Sequence, residues 1–145
     1  MSFKILFYIL FIAVSGTNQA QSHTKKLLPL CIETPHCLSS QTEENKNFVI
    51  PFKIKSTPNE AWKDLKNKLN HYSRITITHE TPTTIHAEAT SLVFKFVDNM
   101  DFILDKEQNM IYIQTSSRSA HSDFGVNIKR IDILRAELQK DKVIN

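Results

Sequence analysis

Between residues 74 and 116 the chain repeats one pattern: side chains change character at every second residue, and short polar turns interrupt the alternation. RITITHE (74–80) sets Ile75 and Ile77 on one side. Thr81-Pro82-Thr83 is a turn, and TIHAEAT (84–90) resumes with Ile85, Ala87 and Ala89 together. LVFKFVDN (92–99) continues extended, Val93 and Lys95 alternating against Phe94 and Phe96, and DFILD (101–105) follows. After a polar turn at Lys106 to Asn109, MIYIQTS (110–116) puts Ile111 and Ile113 opposite Met110, Tyr112 and Gln114. A period of two is the signature of a half-buried strand, not of a helix. Strands joined by such short turns run antiparallel. The middle of the chain is therefore a sheet with one apolar face to cover.

Two amphipathic segments flank it and supply the cover. Thr57, Pro58 and Glu60 spell an N-cap, a first-turn proline and a capping box. Ala61, Trp62, Leu65, Leu69 and Tyr72 then share one helical face, with Lys63, Lys66, Asn67 and Asn70 opposite. Trp62 reads as a core anchor. Residues 126–142 form the closing helix, with Ile128, Ile131, Leu134 and Leu138 on its apolar side. FVIPFKI (48–54) is extended, and Pro51 restricts it to an edge or bulged strand. The expected fold is α+β, in the order β-α-β-β-β-β-α. A curved antiparallel sheet of about five strands carries two helices on one face, in the manner of helix-grip or TATA-binding-protein-like halves.

The amino terminus reads as a signal for export. Lys4 precedes an uninterrupted apolar run, Ile5 to Val14, too short to span a bilayer, and small residues follow it up to Ser22. The expected organisation is a signal peptide at 1–22, an extended segment at 23–47 and a single α+β domain at 48–142, in the periplasm or secreted. Export bears on the cysteines. Cys31 and Cys37 are the only two, and an oxidising compartment favours a disulfide closing CIETPHC over free thiols, a redox pair or a metal site of Cys31, His36 and Cys37. So short a loop contributes about 2 kcal/mol.

Composition excludes several functions. The two glycines, Gly16 and Gly125, cannot build a dinucleotide-binding turn or a phosphate loop. Two cysteines cannot make a four-thiolate zinc site, and the six histidines form no H-E-x-x-H pattern. No cofactor or metal is expected. A net charge of +3, with no cationic run longer than Lys25-Lys26 or Lys129-Arg130, does not describe a nucleic-acid binder.

Polar groups concentrate in TSSRSAHSDFGVNIKR (115–130), which joins the last strand to the last helix. Arg118 offers a planar fork for an anion. Asp123 or Asn127 can cap the helix, and Gly125 suits a backbone that side chains disfavour. FVDN (96–99), this block and CIETPHCLSS (31–40) resemble the signature motifs of the domain of unknown function 1499 family. Those motifs run F-x-D-D, R-S-x-S-R-x-G-x-x-D-x-G-x-N-x-x-R and C-P-x-x-P-x-C-x-S-S, and the likeness spans about residues 29–140. Arg118, Asp123, Gly125, Asn127 and Arg130 match in spacing. Asn99, Gln114, Thr115, Ala120 and Ile32 depart. The resemblance implies an uncharacterised, exported or membrane-anchored domain and supplies no reaction.

Three roles follow as expectations. The first is a non-enzymatic envelope or periplasmic binding or interaction domain, any ligand held by Arg118, Ser117, Asp123, Asn127, Arg130 and Asp98. Against this stands a purely structural use, Arg118 pairing with Asp123 or Asp98. The second is a carrier of an apolar molecule lined by Phe94, Phe96, Phe102, Tyr112 and Leu134. The third, disfavoured, is an enzyme using Asp98, Asp101, Asp105 and His121.

Overall fold

A computed structural model of the chain describes residues 27–29, 31, 36–42, 45–119 and 125–145. The expected signal segment, most of the loop between the cysteines, and Ala120, His121, Ser122 and Asp123 lie outside the described residues.

The fold is α+β: an antiparallel sheet of six strands and two helices. Strands β1 (Leu38–Ser39) and β2 (Phe52–Lys53) precede helix α1 (Pro58–His71). Strands β3 (Ile75–Glu80), β4 (Thr84–Thr90), β5 (Val97–Asp105) and β6 (Met110–Ser117) then form a meander, and helix α2 (Val126–Lys140) closes the chain. The sheet order is β1-β6-β5-β4-β3, with β2 also on β6. The two short strands share the outer edge of β6: Leu38 pairs with Thr115, and Phe52 with Ile111.

The alternation of the central strands builds the helix-facing surface. Ile85, Ala87 and Ala89 of β4 lie across from Phe102, Met100 and Asp98 of β5. Phe102 and Leu104 in turn lie across from Ile113 and Ile111 of β6. These apolar residues share one core with Ala61, Leu65 and Leu69 of α1 and with Ile131, Leu134 and Leu138 of α2. The capping box forms as its sequence requires: Thr57 Oγ1 accepts from the Glu60 N–H at 3.3 Å, and the Glu60 carboxylate accepts from the Thr57 N–H at 3.1 Å. Trp62 and Tyr72 pack against the core while only partly buried. Arg135 ties α2 to the strand entry. It donates to the carbonyl oxygens of Ile50 and Pro51 and stacks over the Phe52 ring at 4.8 Å.

Four expectations are corrected. The sheet has a sixth strand, β1, inside the polar stretch 38–47, so the element order is β-β-α-β-β-β-β-α. The packed unit also runs past 142, since Val143 and Ile144 belong to the core and Ile144 bridges to Ile54. Residues 92–96 are a hairpin loop, and β5 is one strand from Val97 to Asp105. On α2 the buried stripe is Asn127, Ile131, Leu134 and Leu138, while Ile128 is exposed. A polar residue takes the first buried position because the sheet beneath it turns polar there.

Cys31 and Cys37 form the expected disulfide. Among the described residues no helix is long and apolar enough to cross a membrane. One irregularity interrupts the sheet. Between Ile77 and His79 the β3–β4 register slips, leaving Thr78 as the extra residue of a bulge. Unslipped, the ladder would set His79 against Ile85 on the helix side; with the slip it lies opposite His86 on the other face.

Candidate functional site

The β5–β6 register sets Asp98 opposite Ser117, and Asn99 opposite Ser116. Successive strand residues point to opposite faces. The two rungs therefore send their side chains to different surfaces, and so do Ser117 and Arg118.

On the helix side Asp98 and Ser117 meet the first turn of α2. Ser117 Oγ donates to Asp98 Oδ1 at 2.7 Å. Arg130 donates to Asp98 Oδ2 through both terminal nitrogens at 3.3 Å, and to Asn127 Oδ1 at 2.8 Å. Asn127 Nδ2 donates to Ser117 Oγ at 3.2 Å, and Thr115 Oγ1 donates to Asn127 Oδ1 at 3.1 Å. Asn127 is fully buried, and the side chains of Asp98 and Arg130 are 6% and 17% exposed. Both oxygens of Asp98 and both polar atoms of Asn127 are engaged. Such a buried network ties the start of α2 to β5 and β6.

The six residues grouped as a ligand site are thus divided. Asp98, Ser117, Asn127 and Arg130 come together, with Thr115 added. Asp123 lies outside the described residues. Arg118 goes to the opposite face, away from Asp98. Its Nε donates to Asn99 Oδ1 at 3.0 Å, and its guanidinium pairs with the Glu88 carboxylate. Nor does Asn127 cap α2. The N-cap is Gly125, which makes no side-chain cap hydrogen bond.

Gly125 adopts φ +74°, in the left-handed region. A Cβ placed on it would meet only Ile128 Cγ2, at 3.8 Å, an ordinary contact. The restriction therefore lies in the backbone. Gly125→Val is expected to lose about 2 kcal/mol of stability, and Gly125→Asn less than half as much, because asparagine tolerates this region. Urea unfolding of both variants checks this; equal losses would place the restriction in side-chain space instead.

The outer face holds a second, open constellation. The His86 ring pairs with Asp101 two rungs along from the Arg118–Glu88 pair, on the same face. Thr78 and His79 border them, His79 because of the bulge, and the His79 and His86 rings lie 5.9 Å apart. Together these side chains line a concavity of about 380 Å³. Burial raises the Asp101 pKa, and the attraction of His86 partly offsets the rise. Among the described residues no group of three or more His, Cys, Asp or Glu side chains is placed to hold a metal ion. Sequence reading had missed Glu88, His86 and His79. Each sits alone in an alternating strand, and only the inter-strand register brings them together.

A family model described as a protein of unknown function, DUF1499, matches residues 27–138. The chain belongs to the DUF1499 family. Neither a curated protein nor a solved structure matches it. Asp98, Gly125, Asn127 and Arg130, which match the DUF1499 signature, and Thr115, which departs from it, build the inner tie and the turn above it. Arg118, which matches, lies on the outer face with Asn99 and Gln114, which depart. Asn99 accepts from Arg118 where the DUF1499 signature has an acid. Gln114 stands where that signature has arginine, buried and with no partner for its Oε1.

The remaining candidates scatter. Phe102 and Leu134 are core residues, Tyr112 is buried on the face away from the helices, and Phe94 is exposed on a loop with Phe96 beside it. These five line no common cavity. Asp105 accepts from the Glu107 and Gln108 N–H groups of its own turn, and His121 lies outside the described residues.

Proposed function

We propose that this protein is exported and acts outside the cytoplasm, in the envelope or periplasm, as a non-catalytic binding domain for a small polar ligand bearing an anionic group. The apolar leader and the Cys31–Cys37 bridge support export. The observation that carries the binding reading is the placement of Arg118. Its side chain is half exposed, held by Asn99 and Glu88 at the wall of the outer concavity. A ligand carboxylate or phosphate would replace Glu88 on the guanidinium fork, and the freed Glu88 would accept a donor from the same ligand.

Thermal unfolding in the presence of inorganic phosphate, citrate and free amino acids, one at a time, tests this. At least one of these anions is expected to raise the melting temperature of the wild type and not that of Arg118→Gln, with the two proteins equally stable unliganded. If none raises it, or if the variant responds equally, the reading fails.

A further inference from the structure

The β4–β5 hairpin turns through an unusual loop. The Ser91 N–H donates to the Phe96 carbonyl at 2.8 Å, and the Phe96 N–H donates to Ser91 Oγ at 2.9 Å. These bonds close a four-residue loop, Leu92-Val93-Phe94-Lys95. Lys95 completes the reversal at φ +56°. Hairpin loops are ordinarily built from Gly, Asn, Asp and Ser. Here three consecutive apolar side chains project, with Leu92 64%, Val93 74% and Phe94 69% exposed. Phe94 stacks on Phe96 with ring centroids 5.4 Å apart, so the apolar tip is held in shape.

An apolar groove of about 390 Å³ continues from the tip. Leu92 and, from α2, Val126 and Ile133 line it, together with the cations Arg74 and Lys129. Among the described residues no acid lines this groove, and Arg74, Lys95 and Lys129 form no ion pair. Exposed consecutive apolar residues at a loop tip, with unpaired cations behind them, match the layering of an anionic bilayer, where acyl chains lie beneath a negative headgroup plane. A second copy of the chain is a poorer occupant. A two-fold contact through this patch would bring like cations together.

We propose that the Leu92–Phe94 tip docks on anionic lipid bilayers, with Lys95, Lys129 and Arg74 engaging the headgroups. Co-sedimentation of the purified chain tests this, using vesicles of phosphatidylcholine alone and of an equal mixture with phosphatidylglycerol. Wild type and variants share residues 1–22, so any contribution of that segment is common to all. Binding to the mixed vesicles is expected to exceed binding to neutral ones and to weaken in salt. Val93→Ser/Phe94→Ser should reduce it about tenfold or more, and Lys95→Gln/Lys129→Gln by a similar factor. Because the replaced side chains are exposed, both variants should melt as the wild type does. Arg118→Gln should sediment unchanged, which separates this proposal from the ligand site. Equal binding to both vesicle types, or binding that survives both double variants, would overturn it. So would a concentration-dependent dimer abolished by the tip variant without any vesicle binding.

Discussion

Asp98→Ala should remove about 3 kcal/mol of folding stability, at the lower end of what breaking a buried ion pair costs. The loss comes less from the absent bonds than from what they leave behind. Arg130, only 17% exposed, keeps its charge without a counter-ion, and Ser117 loses its acceptor. Arg130's residual access to water sets the lower end. The double variant Asp98→Ala/Arg130→Met should lose less than the two single changes together, because it removes the stranded charge along with its partner. Arg118→Ala, breaking an exposed pair on the other face, should change stability by under about 1 kcal/mol. Urea unfolding of the four proteins decides. Additive losses for the inner pair would show that the network does not act as a unit.

Phe102→Ala should lose about 3–5 kcal/mol. Phe102 has no exposed surface and lies in β5, between Ile85 and Ile113 of the neighbouring strands. Helices cover that face and strands flank it on both sides, so there is little freedom to collapse into the space. Against a typical total of about 5–15 kcal/mol, such a loss brings the domain near its limit. The same variant bears on whether the interior carries an apolar molecule. A loss under about 1 kcal/mol would mean that Phe102 borders pre-existing space rather than a packed core.

The strands β3, β4 and β6 were legible because alternation records which residues face a core, and α1 because its cap and its apolar stripe agree. Alternation does not record backbone sign. Leu92 to Phe96 alternates as a strand does, yet Lys95 turns back with a positive φ and the segment becomes a loop. Leu38–Ser39 is a strand only because β6 offers it an edge, and two residues carry no pattern of their own. At the candidate site, polar clustering in the sequence located the β6–α2 junction but merged two surfaces. Ser117 and Arg118 are neighbours along the chain and sit on opposite sides of the sheet. Asn127 was read as a cap because an asparagine near a helix start usually is one. Its burial depends on Thr115 and Ser117, contributed from ten or more residues away.

The bulge at Thr78 does more than reposition His79. β3 ends the sheet order, so its outward backbone groups face no strand among the described residues. A straight ladder there would be a template for a second molecule, the route by which sheets grow into fibrils. The slipped register twists that rim locally, and the exposed Thr78, His79 and Glu80 that follow it make it a poor surface for stacking. The protein's rim is in this way kept from extending itself.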